Sequence, residues 1–221
     1  MNIIKDIFDK KILKYTILPF LIDLIFWFFI FLFFSHNIIS FLEGIVTNLP
    51  FGVKIEEIIA NIGGWILIIV LYYVAVISTL GIFSSFFIDK IVERINELHY
   101  RCKKRDVSFK DTIKGIFIAF KSFFIYLIIF IFTFYLLFIP VVNIFYQIIM
   151  MSILNKKPLV FDSSYMFFKP KEIEKKYNLK IWLLVVLSSL IYLIPFVSLF
   201  GYTFQLIVLS NFILKNCKKE F

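Results

Sequence analysis

The sequence predicts an all-α membrane protein with two transmembrane helices and two helical hairpins that are broken by proline. Three observations support this fold class. Hydrophobic residues make up 61% of the 221 residues, and the mean hydropathy is +0.93, both typical of membrane proteins and not of soluble domains. Basic residues lie between the apolar runs. Each of the two longest runs contains one proline, Pro140 or Pro195.

The first two apolar runs each predict one membrane crossing. Residues 17–34 form a run of 18 residues and residues 63–88 a run of 26. A helix needs about 20 residues to cross a hydrocarbon core of about 30 Å. An apolar stripe of helical period continues through residues 89–100, opposite a charged face. The second helix is therefore predicted to extend beyond the bilayer into the cytoplasm.

The charges of the connecting segments predict which side of the membrane each one faces. Residues 40–62 carry one Lys and three Glu, with two short amphipathic patterns, which indicates an outside segment lying in the interface. Residues 89–115 carry eight basic and five acidic residues, residues 155–180 carry seven and three, and residues 215–221 carry three and one. The positive-inside rule places these basic connectors, and both chain termini, in the cytoplasm.

The two longest runs must leave the cytoplasm and return to it. Residues 116–154 and 181–214 contain 39 and 34 residues, which as straight helices would measure roughly 58 and 51 Å, well over the core thickness. Proline lacks an amide donor and disfavours helix in the residue before it. Pro140 and Pro195 are therefore the predicted turning points. The arms 141–154 and 181–194 have 14 residues each, which favours hairpins that dip into the bilayer.

Several segments in order along the chain resemble the CysZ/etoposide-induced-protein family of membrane proteins. The segments are Leu18-Pro19-Phe20-Leu21-Ile22-Asp23, Asp89-Lys90-Ile91-Val92-Glu93-Arg94, Phe161-Asp162 with Tyr165, Asn178 with Trp182, and two Ile-Pro-x-Val-x-x-Phe tips at residues 139–145 and 194–200. The resemblance implies two full transmembrane helices, two pairs of hemi-penetrating helices and assembly into oligomers. For bacterial CysZ members it also implies uptake of sulfate across the inner membrane.

The resemblance also draws attention to the basic residues ahead of the Leu-Pro segment. CysZ-like proteins carry Gly and Arg residues there, which the resemblance associates with oxyanion binding. This chain has no Arg in its first 93 residues and carries Lys10, Lys11 and Lys14 instead. These lysines precede a helix whose N-terminal amides also favour anions. Two interpretations stay open, an anion site and ordinary positive-inside flanking charges.

Polar residues inside the apolar runs are candidates for a polar passage. Asp23 lies about 9 Å into the first span by helical rise, where a carboxylate is a candidate for cation or proton coupling, or an interfacial acid paired with a Lys. Asn143 and Ser198 each lie three residues after a hairpin proline, joined by Gln147 and Gln205. These four residues either line a passage where the hairpins meet or only link helices by hydrogen bonds.

No catalytic or metal-binding pattern is visible in the sequence. His36 and His99 are predicted on opposite sides of the membrane, and the two cysteines are far apart, so neighbouring positions build neither a zinc site nor a Cys-His nucleophile. The chain also has no Gly-rich phosphate loop. Its net charge of +9 is spread between the spans, which favours membrane topology over nucleic-acid binding. We expect no enzyme activity, cofactor, metal or nucleic acid.

The sequence and the resemblance together predict a CysZ-like permease or channel for sulfate or a related small oxyanion. We expect it in the bacterial inner membrane, as a homo-oligomer surrounded by lipid. The alternative is a non-transporting protein of the same fold, which shapes the bilayer or scaffolds partners through its interfacial segment and its projecting 89–100 helix.

Overall fold

The computed structural model of this chain describes residues 3–47, 64–194 and 196–217, which contain helices and no strand. The α-helices are α1 (Ile3–Ile7), α2 (Lys10–Thr47), α3 (Gly64–Ile95), α4 (Phe109–Thr133), α5 (Pro140–Ser164), α6 (Pro170–Ser188) and α7 (Gly201–Leu214). A π-helical turn follows α3, and short 3₁₀ segments follow α4 and α6 and precede α7. The prediction of an all-α protein is confirmed.

Four helical segments among the described residues are long and apolar enough to cross a membrane. They are Lys10–Phe34, Phe109–Phe138, Pro170–Leu193 and Val197–Leu214. The first three are mostly unburied within the chain, with only 6% of the most apolar window buried in Phe109–Phe138, whereas 56% of the window in Val197–Leu214 is buried. Such surface is stable where lipid or another apolar partner covers it. The chain is therefore an all-α protein of the membrane.

Helix α2 extends beyond the predicted first span. It runs from Lys10 to Thr47 without interruption, although the predicted span ends at Phe34. Residues 40–47 of the predicted outside segment therefore continue α2, and residues 48–62 lie outside the described residues. The reason is local: residues 20–43 contain neither Gly nor Pro, so no residue in this stretch breaks the helix.

Contacts divide the chain into two compact units, Ile17–Phe86 and the combination of Met1–Thr16 with Phe87–Phe221. In the smaller unit, α2 and α3 pack antiparallel. Trp27 Nε1 donates to Thr79 Oγ1 at 2.7 Å. Tyr72 OH donates to the carbonyl oxygen of Leu24 at 2.8 Å, and Phe31 contacts the Tyr72 ring edge to face at 5.6 Å between centroids.

The larger unit contains the helices of both predicted hairpins. Helices α4 and α5 pack on each other, and the hydroxyls of Thr133 and Tyr146 join them at 2.9 Å. The chain turns at Ile139, whose backbone is extended at φ −99° and ψ 107°, and Pro140 opens α5. In the second hairpin, Pro195 lies outside the described residues.

The helices of the hairpins are longer than the apolar runs that predict them. Helix α5 continues past Leu154 and through Pro158 to Ser164. Proline in a helix interior removes one hydrogen bond and strains the turn before it. The continuation is stabilised because Leu159 and Val160, at 0% and 2% exposure, pack in the core of the unit.

Helix α6 likewise begins before the predicted hairpin arm. The sequence predicts a short cytoplasmic helix with proline at its first position, followed by an arm that starts at Ile181. The structure joins the two into one helix from Pro170 to Ser188, with a kink at Tyr177, where φ is −124° and ψ is 20°. The core of the unit lies where the end of α3 meets α5, α6 and α7. Its buried members include Ile91, Ile95, Leu159, Ile181, Val185, Leu206, Leu209 and Ile213.

Candidate functional site

A cluster of uncharged polar side chains lies where the two hairpins meet. Its centre is Gln205 of α7, which is 1% exposed. Gln205 Nε2 donates to Ser189 Oγ at 2.8 Å and to the Val185 carbonyl oxygen at 3.2 Å. Gln205 Oε1 accepts from Asn155 Nδ2 at 2.9 Å and from Tyr192 OH at 3.3 Å. All the hydrogen-bonding atoms of this amide are therefore engaged inside the protein.

Further hydrogen bonds extend the cluster from one hairpin to the other. Ser152 Oγ lies 2.9 Å from Ser189 Oγ, and Asn155 Nδ2 donates to Tyr192 OH at 2.8 Å. We call Ser152, Asn155, Ser189, Tyr192 and Gln205 the inter-hairpin network. It joins α5 of the first hairpin to both arms of the second, by hydroxyl and amide groups alone.

The network depends on a close approach between Gly201 and the Tyr192 ring. A Cβ atom on Gly201 would lie 2.4 Å from Tyr192 Cε1 and 2.6 Å from Cζ, closer than real Cβ contacts. Any larger residue at position 201 would displace this ring. The absence of a side chain therefore lets α7 pack against Tyr192 and holds its hydroxyl near Gln205.

Sequence reasoning identified one of the five network residues, Gln205. Ser152 and Asn155 lie three positions apart, on one face of α5, and Ser189 follows another serine inside an apolar run. Polar residues at helical spacing in an apolar run were a usable signal for these three. Tyr192 gave none, because Tyr is common at membrane interfaces.

The other predicted passage residues of the hairpins form hydrogen bonds with groups that do not belong to the network. Gln147 is exposed, and its Nε2 donates to Asn143 Oδ1 at 2.7 Å along the same helix. Ser198 is half-buried, and its backbone N donates to the Ile194 carbonyl oxygen at 3.0 Å. Among the described residues, no hydrogen bond joins Asn143 to Ser198. A passage through both tips stays a prediction.

Asp23 is fully buried in the smaller unit, at 0% exposure. Its Oδ1 accepts from Thr79 Oγ1 at 2.7 Å, and Thr79 in turn accepts from the Trp27 indole N–H. Its Oδ2 has no hydrogen-bond partner within the part of the chain that the structure describes. Asp23 is therefore hydrogen-bonded to a hydroxyl group of α3. One of the two sequence interpretations expected a lysine as its partner instead.

The three predicted anion-binding lysines, Lys10, Lys11 and Lys14, are all exposed at the start of α2. The backbone amides of Lys11 and Ile12 donate to Asp9 Oδ1, at 3.0 and 3.1 Å, so this carboxylate caps the helix. An anion at this place would therefore meet lysine side chains and not these two amides.

An arginine reaches this same region from a distant part of the sequence. Arg94 Nη2 and Nε approach the Asp9 carboxylate at 3.1 and 3.3 Å. This guanidinium lowers the pKa of Asp9, and the two amide hydrogen bonds of the helix start lower it further. The basic surface at the start of α2 thus contains an Arg, although the first 93 residues have none.

A second polar cluster, missed by sequence reasoning, joins the two ends of the chain. Asp6 of α1 is 1% exposed. Its Oδ2 accepts from Asn211 Nδ2 at 2.6 Å, and its Oδ1 lies 2.5 Å from His99 Nε2. Tyr100 OH donates to Asn211 Oδ1 at 2.9 Å. We call Asp6, His99, Tyr100 and Asn211 the terminal cluster.

Two carboxylates, one on α3 and one on α5, are hydrogen-bonded to tyrosines. Tyr202 OH donates to Asp162 Oδ2 at 2.5 Å, and Tyr165 OH donates to Asp89 Oδ2 at 2.6 Å. The pKa of Asp162 is raised to about 7, chiefly by burial and to a smaller extent by the negative charge of Asp89, while the Tyr202 hydrogen bond opposes the rise. Asp162 therefore gains a proton near neutral pH, unlike an ordinary aspartate.

This pKa predicts how stability depends on pH. Because the pKa of Asp162 is about 7 in the fold and about 3.9 in an unfolded chain, its ionisation opposes folding, so stability falls as pH rises through this window and is level above it. The Asp162→Asn variant keeps an acceptor for Tyr202 and has no charge. As the pH is raised from about 4 to 7, we expect the melting temperature of the variant to rise relative to that of wild type. Parallel pH profiles for the two proteins would contradict the assignment.

The fold and the polar clusters define a multi-pass membrane protein whose polar residues converge between helices. A family model described as "Sulfate transporter CysZ/Etoposide-induced protein 2.4" matches residues 1–201. The chain therefore belongs to this family, which is transporter-type and not an enzyme family, and the resemblance seen in the sequence is confirmed. No curated protein and no solved structure matches the chain. Gln205 and Asn211 lie beyond the residues that the family model matches.

Proposed function

We propose that this protein passes sulfate or a related small oxyanion across the bacterial inner membrane, with both termini in the cytoplasm. It acts as a homo-oligomer with the hairpins facing its centre. Its family supports a transporter-like role. The observation that carries the proposal further is the inter-hairpin network, a buried set of uncharged hydrogen-bonding groups among apolar helices.

Uncharged donors suit the passage of an oxyanion. An ion crossing the bilayer must exchange its water shell for protein groups, and it must be held weakly enough to leave. The network offers hydroxyl groups at Ser152, Ser189 and Tyr192 and amide groups at Asn155 and Gln205. Since the amide atoms of Gln205 are engaged by other protein groups, conduction requires the hairpins to separate and these donors to turn toward the ion.

The cytoplasmic end of the route is the basic surface at the start of α2. Lys10, Lys11 and Lys14 are exposed there. Arg94 is anchored beside them by Asp9. In this proposal the lysines attract the anion by long-range charge, and they bind it as point charges and not as a bidentate fork.

Sulfate uptake into liposomes tests this proposal. The full chain, reconstituted in liposomes, should take up radiolabelled sulfate at a rate that falls several-fold in the Lys11→Ala/Lys14→Ala variant. The reason is that removing two positive charges lowers the local anion concentration. A matched control is Lys103→Ala/Lys110→Ala, which removes two other exposed lysines of the larger unit and should leave uptake near wild type.

Each variant must first be shown to be folded and oligomeric, by its melting curve and its size in detergent. Absence of uptake by folded, oligomeric wild-type protein would overturn the transport proposal. It would favour the alternative, a protein of the same fold that scaffolds partners or shapes the bilayer. An equal loss of uptake in the control variant would show that total charge, and not the start of α2, governs the rate.

A further inference from the structure

A second basic site, formed by none of the residues at the start of α2, lies between α5 and α6. An open depression of about 480 Å³ is lined by Lys156, Lys171, Glu174, Lys175 and Asn178. The last four residues have the spacing i, i+3, i+4 and i+7, so they share one face of α6. Lys156 comes from α5 and forms the opposite wall. We call this depression the lysine pocket.

Lys156 is the fixed point of the lysine pocket. It is 7% exposed, which is rare for lysine. Its ammonium donates to Asn178 Oδ1 at 2.6 Å, lies 3.4 Å from Glu174 Oε1 and stands 4.9 Å from the centre of the Trp182 ring. These three contacts come from three successive turns of α6, so they hold the charge at a defined position.

The pocket carries more positive than negative charge. Lys171 and Lys175 are exposed at its rim. Among the described residues, neither has a carboxylate oxygen within 4.0 Å, and Glu174 is the acidic member of the lining. Three ammonium groups therefore face one carboxylate. The two unmatched charges call for a dianion, and the spacing of Lys171 and Lys175 by one helical turn lets both reach the same ligand.

We propose that the lysine pocket binds a doubly charged tetrahedral oxyanion of the sulfate or phosphate type. Lys156 and Asn178 form the floor of the site, and Lys171 and Lys175 close over the anion from the rim. Water fills the remaining space and bridges the anion to the walls. Residues 155–180 are predicted to face the cytoplasm, so under the proposed function this site receives the anion at the inner end of the route. That last role rests on the proposed function, whereas the binding itself does not.

Equilibrium binding of inorganic sulfate to the full chain in detergent micelles tests the site. We expect the Lys171→Gln/Lys175→Gln variant to bind sulfate about tenfold more weakly. The control Lys103→Gln/Lys110→Gln, with the same change in net charge, should bind like wild type. Because both altered pocket lysines are exposed, folding should be retained. Equal affinities of wild type and the pocket variant would overturn the proposal.

A variant that is expected to strengthen sulfate binding distinguishes a binding role of the pocket from a structural one. Glu174→Gln removes the carboxylate that competes with the anion for Lys156, and it raises the net charge of the pocket by one. We expect tighter sulfate binding, by several-fold, although the ion pair that fixes Lys156 is lost. Weaker binding in this variant would show that Glu174 and Lys156 have a structural role there, and would overturn the assignment.

The phosphate of a lipid headgroup is also a tetrahedral oxyanion, although as a diester it carries one negative charge, and nanodiscs distinguish the two sources. In phosphatidylcholine alone, sulfate should bind as in micelles. If added phosphatidylglycerol lowers the sulfate affinity of wild type and not of the Lys171→Gln/Lys175→Gln variant, the pocket takes the singly charged phosphate of a lipid headgroup, which would overturn the assignment to a free dianion. Liposome uptake reports separately on the route. Sulfate binding without uptake would overturn the proposed function and leave this site standing.

Discussion

Replacing Gln205 by leucine is expected to lower the free energy of unfolding by about 2–3 kcal/mol. The leucine fills a similar volume but leaves the Val185 carbonyl oxygen and the Asn155, Ser189 and Tyr192 groups without their central partner. An unsatisfied buried polar group costs about 1–3 kcal/mol. The expected loss is that of about one unsatisfied group and not of four, because Ser189, Asn155 and Tyr192 keep one another or Ser152 as partners, and the Val185 carbonyl oxygen keeps Ser189.

Reversible unfolding in mixed micelles measures this effect, and Gln147→Leu is the matched control. It makes the same chemical change at an exposed position, where the side chain bonds only to Asn143 among the described residues. We expect the control to change stability by no more than about 0.5 kcal/mol. If the two variants were equally stable, the network would contribute nothing to hairpin packing, and its place in the proposed route would lose its structural basis.

A substitution in the terminal cluster is expected to cause the second large loss of stability. Asp6→Ala is expected to cost about 3 kcal/mol, because removing a buried hydrogen-bonding carboxyl group leaves its partners unsatisfied. Asn211 Nδ2 loses the shorter of its two hydrogen bonds, and His99 loses its carboxylate. The loss should detach α1 from α7. The neighbouring exposed residue supplies the control, Lys5→Ala, which should change stability by no more than about 0.5 kcal/mol.

A double-mutant cycle with Asn211→Ala isolates the contact between the two ends of the chain. Residues in direct contact are energetically coupled. The stability losses of the two single variants should therefore add up to about 1–2 kcal/mol more than the loss in the double variant. The same micelle unfolding assay measures all four proteins. Strict additivity would show that Asp6 and Asn211 stabilise the fold independently and that their hydrogen bond contributes nothing of its own.

Properties that depend on residues close in sequence were predictable. Hydropathy and charge indicated an all-α membrane protein. Because the residue before a proline rarely adopts helical backbone geometry, the sequence also predicted a turn before Pro140. The helix lengths were underestimated, because the end of an apolar run was taken for the end of a helix. Helix α5 continues through Lys156, Lys157 and Pro158, since its last turns pack against α6 and α7, and no local pattern reports that packing.

The polar sites were less accessible to sequence reasoning, because they join residues that are far apart. Gln205 stood out as a polar residue in an apolar run, but its partner Asn155 is 50 positions away. Asp6 was not singled out in the sequence, and Arg94 was placed on the charged face opposite the apolar stripe of residues 89–100. Each gains its role from a partner on a distant segment, and a single sequence carries no record of that pairing.

The terminal cluster also has a consequence for the biogenesis of the protein. Asp6 and Asn211 are 205 positions apart, so at a synthesis rate of about 5–20 residues per second, α1 emerges on the order of 10–40 s before its partner exists. During this interval the carboxylate of Asp6 has no amide from α7 to accept. Helix α1 is thus fixed by α7, which is made much later, and a ribosome that stalls before Asn211 leaves a nascent chain in which α1 is not yet docked.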